Sequence, residues 1–192
     1  MQKLTFPGAL GHDLAARLDE PEKTPRCYAL FAHCFTCSKN LRGATNVSQA
    51  LTDAGFAVLR FDFTGLGDSS GEFADTNFSG NVDDLVAASR FLEENFEAPA
   101  LLVGHSLGGT AVLQAAHDIP SAAAVATIGS PADPAHVEHL LAPAAETLAR
   151  DGVAEVNLGG RPFTIKQQFL DDIQRQSMPK MAYLFRYPFS MA

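Results

Sequence analysis

A chain of 192 residues is one domain or a little more against a mode of about 100 to 150, and it buries about two-thirds of its unfolded surface, which excludes a disulfide-stapled miniprotein. Hydrophobic residues make up 46% and charged ones 19%, with 14 Phe, the balance of a packed core and not of disorder. The 14 Lys and Arg against 22 Asp and Glu leave a net charge of −8 that repels nucleic acid and anionic membrane, and no apolar run approaches the ~18 residues of a span, so a cytoplasmic protein is expected.

Short apolar runs alternate with helical patterns, and this predicts an α/β fold. Residues 2–6 and 13–18 alternate as an antiparallel pair at the sheet edge. Residues 26–32 (RCYALFA) form a continuous apolar run of strand length, followed by a helical stretch from Ser38 that carries Leu41, Ala44, Val47, Leu51 and Ala54 on one face and ends at Gly55. Residues 56–61 (FAVLRF) repeat the strand signal. Residues 81–96 repeat the helix, with Asp83 and Asp84 in its first turn, where the helix dipole favours anions. Residues 100–104 (ALLVG), a helix over 107–118, and residues 122–128 complete four buried strands of a parallel, doubly covered sheet. Beyond Ser130 the pattern changes: weak helix over 134–148 broken at Pro143, a hairpin over 155–165 turning at Gly159-Gly160, and an amphipathic helix over 166–175. The expected organisation is a core over 1–130, a cap over 131–176 and an atypical tail over 177–192 with one short strand at 182–185.

The sharpest chemical signal is Gly104-His105-Ser106-Leu107-Gly108-Gly109, a G-x-S-x-G set between a buried strand and an apolar helix. A side chain at Gly104 or Gly108 would collide with the neighbouring strand or helix, and the sharp turn lifts the Ser106 hydroxyl above the sheet as a nucleophile. The helix that follows aims its N-terminal amides at the same place, making the Leu107 N–H an oxyanion donor. The blander alternative is a Gly-rich turn with a helix-capping serine. Cys34-Phe35-Thr36-Cys37 is a C-x-x-C at a strand-to-helix junction, placed as a redox pair would be. Three cysteines in all suggest no disulfide framework and fit a reducing compartment. Residues 62–71 (DFTGLGDSSG) lack the spacing of a dinucleotide loop and read as a Gly-rich turn beside the site. His33 reads as a brace for its loop. His12, His105 and His117 are structural, and His136 and His139, after Asp133, read as a solvated helix start that also supplies the candidate base and acid, His136 and Asp133.

The segments FAHCFTCSK (31–39), VLRFDFTGLGDSSGEFADTNFSGNVDDL (58–85), ALLVGHSLGG (100–109), ATIGSPADPAHV (126–137) and EVNLGGRPFTIKQQFLDD (155–172) resemble the serine hydrolases of the α/β-hydrolase superfamily, in particular the hydrolase half of the bifunctional α/β-hydrolase/OsmC-type proteins. The resemblance implies an α/β-hydrolase fold, a mostly parallel doubly wound sheet with a small cap, and Ser106 as nucleophile. It implies oxyanion donors at Leu107 and Phe35, because His33-Cys34-Phe35 stands where such hydrolases place His-Gly-x. It also implies a carboxylesterase acting on small acyl esters, with no cofactor and no metal. In that family the acid follows the next strand and the histidine the last one. Here no His follows His139, so the resemblance predicts a C-terminally truncated hydrolase lacking the last strands and the family's own acid and base. The exposed sheet edge then predicts a homo-oligomer. Two other readings follow from the same residues: a catalytically impaired binding or oligomerisation module, and a redox-active protein working through Cys34 and Cys37.

Overall fold

The computed structural model describes residues 1–176, so the tail over 177–192 and its strand at 182–185 lie outside the described residues. Six strands form one sheet in the order β1-β2-β4-β3-β5-β6. β1 (Gln2–Pro7) and β2 (Asp13–Asp19) are an antiparallel hairpin, and β2 pairs antiparallel with β4 (Phe56–Phe61). From β4 onward the neighbours β3 (Cys27–Ala32), β5 (Pro99–His105) and β6 (Ala124–Ile128) are all parallel.

The period-2 alternation of a strand sorts β3 onto two faces. Leu30 and Ala32 join the large core with Leu59, Phe61 and Leu102 under α2 (Phe78–Asn95) and α3 (Leu107–Ala115). Ala29 and Phe31 turn the other way, onto Val58 and Val103, beneath Ala44, Val47 and Leu51 of α1 (Arg42–Asp53). Each of these fully buried Leu and Phe side chains contributes about 1.5–3 kcal/mol by leaving water. α1 ends as expected, with Gly55 in the left-handed region at φ 93°.

α2 starts three residues before the expected Asn81. The Asn77 side chain accepts the Gly80 N–H at 2.8 Å and caps the helix, which a reading from apolar periodicity alone passes over. Asp84 is therefore not in the first turn. It is buried inside the molecule and accepts the Thr64 N–H, the Thr64 hydroxyl and the Ala9 N–H. Burial pushes its carboxyl up from the usual range, and these donors oppose that shift.

After β6 the chain runs through one-turn helices at Pro134–Val137, α4 (Glu138–Leu141) and Ala142–Ala144 to α5 (Ala145–Asp151). β7 (Val153–Leu158) and β8 (Arg161–Lys166) then form a separate hairpin, and α6 (Gln167–Arg175) follows. Gly159 and Gly160 both take positive φ, 60° and 83°, the pairing that a two-residue hairpin turn requires. The inward residues Ala154, Val156, Leu158, Phe169 and Ile173 pack into the same core as α2 and α3. The Asp172 carboxylate accepts the N–H and hydroxyl of Ser79, fixing α6 to the start of α2. On the far side, β6 is exposed along its whole length. Among the described residues no helix is long and apolar enough to cross a membrane.

Candidate active site

β5 delivers the chain to Ser106, and α3 departs from Leu107. Ser106 holds φ 55° and ψ −128°, a backbone conformation that costs a residue with a Cβ about 1–3 kcal/mol. Two bonds fix it there: its N–H donates to Ile128 O at 2.9 Å, and its carbonyl accepts the Gly109 N–H at 2.8 Å. The turn is tight enough that a Cβ on Gly104 would lie 2.4 Å from Gly108 O. A serine that merely caps a helix accepts an amide of the first turn, and the Ser106 side chain makes no such bond. Leu107 is the first residue of α3, so no helical carbonyl precedes its N–H.

The loop after β3 forms the second wall. Cys34 and Cys37 are joined by a disulfide, Cα–Cα 5.4 Å, and the Cys37 N–H donates to Cys34 O at 3.1 Å. This is one local bond between the two cysteines of the C-x-x-C and not a framework. Thr36, third residue of that turn, sits at φ 64°, a position that turns of this form normally give to Gly or Asn. The Cys34 carbonyl also accepts from Nδ1 of His33 at 2.8 Å, while His33 Nε2 faces the Phe63 N–H at 3.4 Å, so the proton sits on Nδ1. Burial pushes the His33 pKa down and keeps the ring neutral, with the Cys34 carbonyl and Asp62 opposing the shift. Carbonyl and N–H of a trans peptide point in opposite directions. Two donors on Cys34 O therefore aim the Phe35 N–H away from the turn, and among the described residues no hydrogen bond takes it.

The two walls touch. A Cβ on Gly108 would lie 2.2 Å from His33 O, so α3 packs directly on the loop that carries Phe35. Phe35 and Leu107 line one narrow cavity with His33, Cys34, Phe63, Leu66 and Asn81; at about 10 Å³ it has room for roughly one water molecule. A second cavity, about 130 Å³, opens on the α1 side of the sheet between Phe31, Leu41, Ala44, Val47, His105 and Ile128.

Beneath the loop lies a buried polar cluster that a sequence reading misses. Asp62, at the end of β4, accepts the Lys39 N–H at 2.6 Å, the Lys39 ammonium and the Asp68 N–H at 2.9 Å. Lys39 also bonds Asp68, which holds that carboxyl below its usual range. Arg60 donates to the Lys39 carbonyl and to Asp19. Residues 62–71 are thus tied to the loop after β3 through Asp62. From the hairpin, Arg161 donates to Thr36 O and stacks on the Phe163 ring at 5.4 Å.

The candidate acid and base lie apart from this convergence in chain position. The Asp133 carboxylate accepts the Ala135 N–H at 2.9 Å and caps the turn that follows. His136 is exposed and packs its ring on His139 at 5.0 Å. Thr110 of α3 donates to Pro131 O at 2.8 Å and so holds the start of this segment against the helix behind Ser106.

The sequence model of the family Hydrolase_4, described as serine aminopeptidase, S33, matches residues 37–175, and the chain belongs to that family. The mitochondrial palmitoyl-protein thioesterase ABHD10 of Rattus norvegicus is 31% identical over 87 residues, 45% of this chain and 28% of that protein, so the chain matches less than a third of this curated relative's length. Among solved structures, the esterase domain of a Rhodothermus marinus protein is 54% identical with a TM-score of 0.72, covering 97% of this chain and 73% of that one. An α/β serine hydrolase without lid from Xanthomonas campestris is 28% identical with a TM-score of 0.62, covering 68% and 62%. The fold is that of the α/β-hydrolases.

Proposed function

We propose that this member of the serine aminopeptidase S33 family is a serine hydrolase that cleaves small acyl esters, with Ser106 as nucleophile and the N–H groups of Phe35 and Leu107 as its oxyanion hole. One observation carries the reading: a strained, uncapped serine stands at a strand-to-helix turn whose two flanking walls each offer an unused backbone N–H. Attack by Ser106 Oγ on an acyl carbon places negative charge on the carbonyl oxygen, and donors fixed beforehand stabilise it without reorganising. The esterase domain from Rhodothermus marinus supports an ester, and the relative named a thioesterase supports acyl chemistry more broadly. Segment 131–176 is read as the cap over this site, and His136 with Asp133 as the base and acid. A fluorophosphonate probe tests the nucleophile: peptide mapping should find the label on Ser106, and Ser106→Ala should lose both label and ester turnover. Labelling elsewhere, or none on folded protein, rejects the assignment.

The exposed β6 favours a second reading, a binding or oligomerisation module that covers this edge with another copy. Its Val125 and Ile128 are 36% and 42% exposed. Sedimentation at micromolar concentration separates the two, since a monomer active on esters leaves the module reading without support.

A further inference from the structure

We infer that the Cys34–Cys37 disulfide is a redox-cleavable clamp that holds the oxyanion donor Phe35 in position, so that the thiol–disulfide state of the chain sets its hydrolytic rate. The inference rests on the reading of Ser106 and Phe35 given above. Phe35 and Thr36 are the two residues enclosed by the disulfide. Thr36 sits at φ 64° without being Gly or Asn, and a conformation of that kind persists only where the surroundings over-determine it. Three contacts do so: the disulfide, the Cys37 N–H on Cys34 O, and Arg161 on Thr36 O. Of these the disulfide alone is covalent, and it alone can be broken without changing the sequence. Once it opens, Thr36 can relax to negative φ, the 34–37 turn loosens, and the Phe35 N–H loses its fixed aim into the cavity shared with Leu107.

The chemistry balances with a dithiol as reductant. Its thiolate attacks Sγ of Cys37, which is only half-buried, and the Sγ–Sγ bond breaks. Cys34, buried against the cavity, leaves as a thiolate and takes up a proton. The second thiolate of the reductant then attacks its own sulfur in the mixed disulfide and releases Cys37 as a thiol. Two electrons and two protons pass to the protein, and the reductant becomes a cyclic disulfide. A small-molecule disulfide reverses the sequence. Cys27, the third cysteine, lies at the opposite end of β3 and takes no part.

The test measures kcat and KM for an aryl acetate on the oxidised protein, after dithiothreitol, and after reoxidation with oxidised glutathione, with thiols counted by alkylation and mass. Reduction should lower kcat by about tenfold to a hundredfold, short of the ~10²–10³ that removal of an oxyanion donor costs, with KM little changed and the rate restored by reoxidation. The variant C34S/C37S should have the rate of the reduced protein and ignore dithiothreitol. An unchanged kcat on reduction, or a response that persists in C34S/C37S, overturns the proposal. Amide exchange across residues 34–37 gives a readout that needs no activity. If the oxidised protein neither turns over ester nor labels at Ser106, the hydrolase reading fails by itself; the clamp then stands only if exchange at Phe35 and Thr36 rises on reduction, and falls if it does not.

Discussion

Gly108→Ala is the most demanding perturbation of the proposed oxyanion hole, because it touches neither the nucleophile nor either donor. The added Cβ would lie 2.2 Å from His33 O and 2.8 Å from Ala32 O, both backbone atoms that no rotamer change can move. Restoring a tolerable contact of about 3 Å requires α3 and the loop after β3 to separate by roughly 0.8 Å. Leu107 precedes the substituted residue and Phe35 follows His33 by two, so the separation opens the gap between the two donors. Overpacking of this kind costs about 1–3 kcal/mol of stability, and a misplacement near 1 Å costs on the order of 10²-fold in rate. Gly43→Ala is the matched control: it meets nothing within 4 Å and lies in α1, where Ala is the better helix former. Urea denaturation and kcat/KM for an aryl acetate, measured on both variants, read the two effects separately. If Gly108→Ala lowers the rate no more than Gly43→Ala while remaining folded, the two loops do not form one hole and the assignment of Phe35 is wrong.

Lys39→Met should destabilise the chain by about 3–5 kcal/mol, because it strands the Asp62 carboxylate, 0% exposed, with only backbone donors; a loss within about 0.5 kcal/mol in urea would mean the pair is not the anchor. The buried His33 titrates below its ordinary value near 6.5, so the unfolded chain binds a proton that the folded one refuses; its contribution is fully present above about pH 6.5 and is lost as pH falls from there toward the depressed folded value. Urea midpoints from pH 7.5 down to 5 should show that decline, and His33→Asn should flatten it; an equal slope in both assigns the decline elsewhere. If His136 is the base, His136→Ala should lower kcat/KM for an aryl acetate by about 10²-fold or more, whereas an unchanged rate in His136→Ala removes it from the mechanism.

What the sequence disclosed and what it withheld divide by distance along the chain. The turn at Ser106 is written in six consecutive residues, because the steric demands at Gly104 and Gly108 come from elements that begin and end beside them. The four parallel strands were equally legible, since a strand buried on both faces is a continuous apolar run such as CYALFA or FAVLRF. β6 kept that composition yet lies exposed at the edge, because a run of Ala and Val states a preference for burial and not whether a neighbour supplies it. The start of α2 was misplaced for a related reason: apolar periodicity begins at Val82, whereas the helix begins at the capping Asn77. The supports of the turn over residues 34–37 were invisible. Arg161 reaches Thr36 across 125 residues, and Lys39 reaches Asp62 across 23, so no local pattern announces either contact.

That division bears on how the site comes to exist. Among the described residues the non-glycine positions with positive φ are two, Thr36 and Ser106, and each adjoins in sequence a residue that lines one cavity, Phe35 and Leu107. Each costs about 1–3 kcal/mol, a sizeable share of the roughly 5–15 kcal/mol by which a domain is stable, and scattered strain of that size would be selected away. The two are over-determined differently. Ser106 is held by glycine packing and by Ile128 O, contacts that form as soon as β5, β6 and α3 assemble, so Ser106 is as rigid as the sheet. Thr36 is held by a bond that thiols can open and by a side chain from the hairpin, contacts that can be withdrawn while the sheet stays intact. Strain resting on removable supports is strain that can be released, and that places any control of the proposed site on the wall carrying Phe35 and not on Ser106.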